Sequence, residues 1–227
     1  KLYGSLTSPY VRKVRMVLME KGLAHDLVVE GPADAAGNVA RLNPLRAIPV
    51  LERDDGEVFF DSPMICEYLD SLNDQPRLYP ASGEPRWQAL RWHALGQGLM
   101  EATVARFVER RKPVEKLDAA AVAKHEARIA AALAFAAARV PASGFIAGNT
   151  IGIADIALGA ALGYIDLRHA HDWRGQHPQL ANWFSPVSQR PSFMETLAPE
   201  LKKEVMGTSK NPLSLVNEAS FTRVRVR

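Results

Sequence analysis

The sequence predicts an α/β unit followed by an all-α unit, and two observations carry that prediction. Over residues 1–73 short β-like runs alternate with segments of helical spacing, whereas residues 86–198 are rich in Ala and Leu and hold helical spacing only. Between them, residues 74–85 carry Pro76, Pro80 and Pro85 with Gly83 and little apolar patterning, which marks a linker. The length agrees, since 227 residues accommodate one large domain or two modest ones.

Each element has its own reason. Lys1–Gly4 and Leu27–Glu30 are short apolar runs of strand character, and Val11, Val14 and Leu18, with Val17 and Met19 beside them, form a helical face between those runs. Pro9 opens that helix and Gly22 closes it. Asn38–Leu42 reads as one short helical turn. Ile48–Arg53 and Glu57–Phe60 flank Asp54-Asp55-Gly56, and an Asp-Gly pair between apolar runs is a strong hairpin signal. Ser62-Pro63 suits an N-cap followed by proline at the first helical position, with Ile65, Leu69 and Leu72 on one face. The order β-α-β, helical turn, β-β-α suits a small sheet of mixed direction with helices on its faces. Beyond the linker, helices are expected near 86–112, 118–140, 152–166, 178–184 and 190–197, the first two ended by Pro113 and Pro141. Residues 199–227 read as a C-terminal extension, in which the alternation over Val224–Arg227 fits either an edge strand or a charged tail.

Composition closes several function classes. The chain is 47% hydrophobic and 23% charged, as soluble globular domains are, and shows no internal repeat. Its net charge of +3 comes from the extension, which holds six Lys/Arg against three Asp/Glu and leaves 22 against 22 in the rest. No nucleic acid or anionic membrane is therefore expected as a partner of the main fold. One cysteine, Cys66, excludes an internal disulfide and a CxxC pair. Its place between Ile65 and Tyr68 is that of a packing residue. No metal site is expected, because His169 and His171 have no third ligand near them in sequence. Uncharged stretches such as 140–154 reach 15 residues and contain Pro and Gly, too short and broken for a membrane span, and no leader pattern opens the chain. A cytoplasmic location is the expectation. Arg110-Arg111-Lys112 suits a solvated helix end, and Trp87, Trp92, Leu95 and Leu99 form a stripe for core or dimer packing.

Three short segments could carry chemistry. In Thr7-Ser8-Pro9-Tyr10 a hydroxyl stands at a helix start, where unpaired N–H groups and a partial positive charge favour an anion such as a thiolate. A cap alone also explains Ser8. In Asn43-Pro44-Leu45-Arg46-Ala47-Ile48-Pro49-Val50, Pro49 stands just inside a strand, which requires an edge position or a cis bond. A cis Ile48-Pro49 bond would turn the Ile48 backbone outward toward a peptide-like ligand. Phe60-Asp61-Ser62-Pro63 puts a carboxylate and a hydroxyl at another helix start, suited to the amino and carboxylate groups of an amino-acid-like ligand.

In this order, followed by a linker and a helical half, these motifs resemble the cytosolic glutathione transferases, with the bacterial serine-type members nearest. The resemblance extends to Gly148–Ile156 and Arg190-Pro191-Ser192-Phe193, and spans residues 1–197. It implies a thioredoxin-like N-terminal domain at 1–73, a linker at 74–85, a helical bundle at 86–198, and glutathione as co-substrate with no tightly bound cofactor. Ser8, with Thr7 as the alternate, would donate to the glutathione sulfur and favour its thiolate. Pro9 and Tyr10 would belong to the same site. Ile48 before Pro49 would pair with the cysteinyl backbone, and Asp61 and Ser62 would hold the γ-glutamyl end. The thiolate would be transferred to a small electrophile or would reduce a peroxide; the electrophile would sit near Leu6, Tyr10, Met100, Thr103 and Phe107, and the chain would form a homodimer. Two departures stand out: Ala47 lacks the Lys or Gln that many relatives carry there, leaving Arg46 as the available replacement, and Gly152 takes the place of a Ser or Thr three residues before Asp155. The same fold also serves as a non-enzymatic binding module in the stringent starvation proteins, which is the alternative reading.

Overall fold

A computed structural model describes residues 1–169 and 171–208 of the chain. Its four strands form one mixed sheet in the order β2-β1-β3-β4. Strand β1 (Leu2–Gly4) runs parallel to β2 (Leu27–Val29) and antiparallel to β3 (Val50–Glu52), which pairs antiparallel with β4 (Val58–Phe60). The parallel pair needs a crossover, supplied by helix α1 (Pro9–Glu20), whereas β3 and β4 close directly over the Asp54-Asp55-Gly56 turn. Alternation along the strands assigns the faces. Leu2 and Leu51 join the main core under α1 and α3 (Ser62–Ser71), and Tyr3 and Val50 join Val39 of α2 (Asn38–Leu42) on the other face.

All described secondary structure after α3 is helical: α4 (Gly83–Arg110), a 3₁₀ turn (Val114–Lys116), α5 (Ala119–Ala137), α6 (Ile153–Arg168), α7 (Trp173–Gln176), α8 (Pro178–Ser188), α9 (Pro191–Glu195) and α10 (Pro199–Thr208). Helix α4 begins three residues earlier than its periodicity suggests, because Gly83, Glu84 and Pro85 supply the first turn. Helix α6 is buried from Ile153 to Ile165 on every side, so it forms the centre of this half. Gly96 lets α4 cross it closely, since a Cβ there would lie 2.6 Å from the Ala157 carbonyl carbon. At its start, Asp155 accepts N–H groups from Gly152 and Ile146, each at 2.9 Å, so the box closes although Gly152 has no side chain to contribute. The part of the expected extension after residue 208 lies outside the described residues.

Helix α1 joins the two halves along its whole length. Near its end, Glu20 accepts Arg190 Nε at 3.0 Å and Nη2 at 2.7 Å, together with the Ser192 hydroxyl. Lys21 donates to the Asp70 carboxylate at 2.9 Å and to the carbonyls of Asn73 and Pro76 at 2.7 Å, while Asp70 accepts Leu78 and Tyr79 N–H groups. In its second turn, buried Lys13 donates to Gln97 Oε1 at 2.8 Å and lies 3.0 Å from His93 Nε2. The His93 Nδ1 is 3.2 Å from the Tyr79 hydroxyl. Burial first, and the Lys13 charge second, push the His93 imidazole down to about 3, so it is neutral at physiological pH. Of the aromatic stripe, Trp92 is core and Trp87 is 64% exposed.

Candidate active site

Strand register brings the three motifs to one end of the sheet. Tyr3 pairs with Val50 and Val50 with Phe60, so the segment leaving β1, the segment arriving at β3 and the segment leaving β4 share an edge. Ser8, Ile48-Pro49 and Asp61-Ser62 occupy those three segments.

At the first, Ser8 is the N-cap of α1 with extended backbone, and Pro9 is N1. Its Oγ accepts the Val11 N–H at 3.3 Å. The hydroxyl hydrogen is left to donate, at a helix terminus whose field favours negative charge. Thr7 does not cap. Leu6, Thr7, Ser8 and Pro9 line a narrow cleft with Arg12, Gly163, Tyr164, Leu167, Ala198 and Leu201. Buried Arg12 donates to Phe193 O at 3.0 Å and Thr196 Oγ1 at 3.4 Å, which fixes the first turn of α1 against α9. Burial draws its guanidinium down to about 10 while Asp166 opposes the shift, so it stays charged. Gly163 is required beneath it, because a Cβ would lie 2.2 Å from Arg12 Nη1. Tyr10 packs against the core cluster and does not line the cleft. Its phenol is pushed up by burial first and then by the Glu101 charge.

At the second, the Ile48–Pro49 peptide is cis and the ladder begins at Val50, leaving Ile48 outside it. Asn43 shapes the approach: its Oδ1 accepts Leu45 N at 2.9 Å and its Nδ2 donates to Ala47 O at 2.9 Å. Arg46 is exposed with φ of 50°.

At the third, the helix starts one residue before the sequence pattern suggests, with Asp61 as N-cap and Ser62 as the first helical residue. Asp61 has φ of 63°, a conformation that costs a non-glycine residue about 1–3 kcal/mol. Its exposed side chain makes no capping bond. Ser62 is 1% exposed, and its Oγ has no hydrogen-bond partner. The fold therefore uses neither side chain, and a buried hydroxyl without a partner costs about 1–3 kcal/mol.

The electrophile residues expected on α4 divide. Met100 and Thr103 are buried, Thr103 donating to Leu99 O at 2.8 Å, because that face of α4 lies on α6. Phe107 is half-buried beneath Arg168 and Arg111. The second wall of the cleft comes instead from α6 and α10 through Tyr164, Leu167 and Leu201. Sequence periodicity offered no sign of those residues, although Arg12 inside an apolar helix face was a visible anomaly. Cys66 is fully buried and its thiol is pushed up to about 12 by burial, which suits packing. Among the described residues no cluster of three or more His, Cys, Asp or Glu could hold a metal ion, and no helix is long and apolar enough to cross a membrane.

Comparison with known proteins agrees with this architecture. Residues 2–77 match the glutathione S-transferase N-terminal domain and residues 119–185 the C-terminal domain. The GST-like protein YibF of Escherichia coli (strain K12) is 32% identical over 201 residues, which span 88% of this chain and 99% of that one. The chain belongs to the glutathione S-transferase family. A glutathione S-transferase from Methylobacillus flagellatus, solved with glutathione bound, is similar to it with a TM-score of 0.82 and 37% identity, over 86% of this chain and 97% of its own. A Pseudomonas fluorescens family member, with a TM-score of 0.76 and 36% identity over 87% and 98% of the two chains, holds S-(propanoic acid)-glutathione.

Proposed function

We propose that this glutathione S-transferase family member binds reduced glutathione at the shared sheet edge, holds its sulfur as the thiolate and transfers it to a small electrophile. The observation that carries the reading is the unspent polar chemistry there: a free hydroxyl hydrogen on Ser8, an unpartnered buried hydroxyl on Ser62 and an uncapped, strained Asp61. Ser8 donates to the sulfur, and the terminus of α1 with charged Arg12 near it favours the anion. The Ile48 backbone pairs with the cysteinyl residue. Ser62 receives the γ-glutamyl carboxylate, Asp61 its ammonium and Arg46 the glycine carboxylate. The electrophile occupies the cleft between Leu6, Tyr164 and Leu201. The thiolate sulfur bonds to the electrophilic carbon while the leaving group departs or the π bond opens, so the protein's part is positioning and charge stabilisation. The sulfur substituent of the Pseudomonas conjugate supports room for a small acyclic acceptor beside the thiol.

The domain division at 74–85 and a cytoplasmic location belong to the same reading, as does a homodimer, for which exposed Met64 on α3 and Trp87 on α4 supply apolar surface. Calorimetric titration with reduced glutathione tests it. Saturable binding that weakens in Asp61→Ala supports the site. No binding by the cooperatively folded protein would favour a partner-binding scaffold on the same fold.

A further inference from the structure

Two lysines are buried among the described residues, and they differ in their partners. Lys21 has a carboxylate, Asp70 Oδ1, at 2.9 Å. Lys13 is fully buried, and its Nζ meets the Gln97 amide oxygen at 2.8 Å and the neutral His93 imidazole at 3.0 Å, with no carboxylate among the described residues paired to it. Gln97 Nε2 donates to Glu101 Oε1 at 3.2 Å, so the amide is turned with its oxygen toward Lys13. The hydrogen bonds of Lys13 therefore close within the fold, while its charge does not. A buried ammonium without an opposite charge is costly, and an anion brought near it is favoured.

The place where that charge acts is the start of α3, on which α1 packs. Burial draws the Lys13 ammonium down, and Cys66, Asp61 and Glu101 oppose that shift. The coupling is mutual, since Lys13 opposes the rise that burial gives the Cys66 thiol. Asp61 and Glu101 are exposed, so water screens them and neither neutralises Lys13 as Asp70 does Lys21. Ser62 follows Asp61 directly and precedes Cys66 by one helical turn, and its buried hydroxyl has no partner. An uncompensated cation and an unused buried donor thus meet at one helix start, whose own N–H groups also favour an anion.

We infer that Lys13 makes the site selective for the α-carboxylate of the γ-glutamyl residue, its buried charge favouring an anion at Ser62 without touching it. Lys13 is a positioning residue, and the ligand carboxylate is the counter-charge that the fold omits. This rests on the glutathione reading and names the feature of the γ-glutamyl end that the site selects.

Calorimetry with related thiol tripeptides tests the inference. Beside glutathione stand an analogue with 4-aminobutyrate in place of the γ-glutamyl residue, which lacks only the α-carboxylate, and one with glutarate there, which lacks only the α-amino group. Lys13→Met keeps the length and removes the charge. It should weaken glutathione and the glutaryl analogue about tenfold and leave the 4-aminobutyryl analogue within about twofold, as loss of a unit charge at intermediate dielectric allows. Should Lys13→Met fail to fold, Gln97→Glu decides alone: it supplies the counter-charge inside the fold and should give the same pattern. Equal losses for all ligands, or no loss for any, would overturn the inference and leave the glutathione reading standing. Absence of glutathione binding by the unsubstituted protein would overturn both.

Discussion

Two helix starts in this molecule use aspartate, and they treat it in opposite ways. At α6, Asp155 is fully buried and both carboxylate oxygens accept backbone N–H groups. At α3, Asp61 is exposed, held at φ of 63° and makes no capping bond, while Ser62 beside it keeps a buried hydroxyl without a partner. The first start is closed and needs nothing from outside. The second is stable only because the surrounding fold offsets its cost, and its polar groups are left without partners. Unspent hydrogen-bonding capacity, rather than residue type, separates the proposed binding site from a structural cap here.

Substitutions at the two starts should therefore fail differently. The largest effect expected is at the closed one: Asp155→Ala strands two N–H groups and should lower unfolding free energy by about 3 kcal/mol in denaturant titration. Glutathione affinity of the remaining folded fraction should stay within about twofold. A stability loss below about 1 kcal/mol would remove the contrast.

The buried Lys13–His93–Tyr79 chain is also closed, and pH probes it. His93 is held neutral in the fold, with a pKa lowered to about 3 from an ordinary value near 6.5. Between those values the unfolded chain binds a proton that the native protein refuses, so stability falls as pH drops. From pH 7 to pH 5 the contribution of His93 to that loss should be about 2 kcal/mol, and His93→Gln should remove it. An identical pH dependence in the variant would contradict the neutral, buried assignment.

At the open start the signs separate. Ser62→Ala should leave stability unchanged or slightly improved, yet weaken glutathione binding about tenfold by calorimetry. Smaller still, Asp61→Gly should raise stability by about 1 kcal/mol by relieving the positive φ, while also weakening binding. If either substitution destabilises the protein without touching affinity, the open start is structural after all.

The difference between the two starts also explains what the sequence revealed. Ser8-Pro9 and the Asp-Gly hairpin were legible because cap, proline and turn chemistry act over two or three neighbouring residues. The gathering of the three motifs at one sheet edge comes from the strand order β2-β1-β3-β4 and its register, which no local pattern announces. The start of α3 was misplaced by one residue, since Ser62 is the usual capping type and nothing local announces the positive φ of Asp61. The resemblance puts Met100 and Thr103 at the electrophile site, and periodicity shows only that they share a stripe without showing against what. Gly96 on Ala157 brings α4 onto α6 and takes that stripe into the core. Tyr164, Leu167 and Leu201 were illegible for the complementary reason: α6 is apolar on every side, so no periodicity distinguishes its one cleft-facing edge.

On the proposed reading, the free hydroxyl at the start of α1 holds glutathione as its thiolate. Ultraviolet thiolate absorbance of the glutathione complex, titrated against pH for the unsubstituted protein and for Ser8→Ala, tests it directly. Against a free thiol near about 8.5, the bound thiol should titrate at least about one unit lower, and Ser8→Ala should return it most of the way while glutathione still binds. A bound thiol that titrates like free glutathione, or a lowered value unchanged in Ser8→Ala, would contradict the claim.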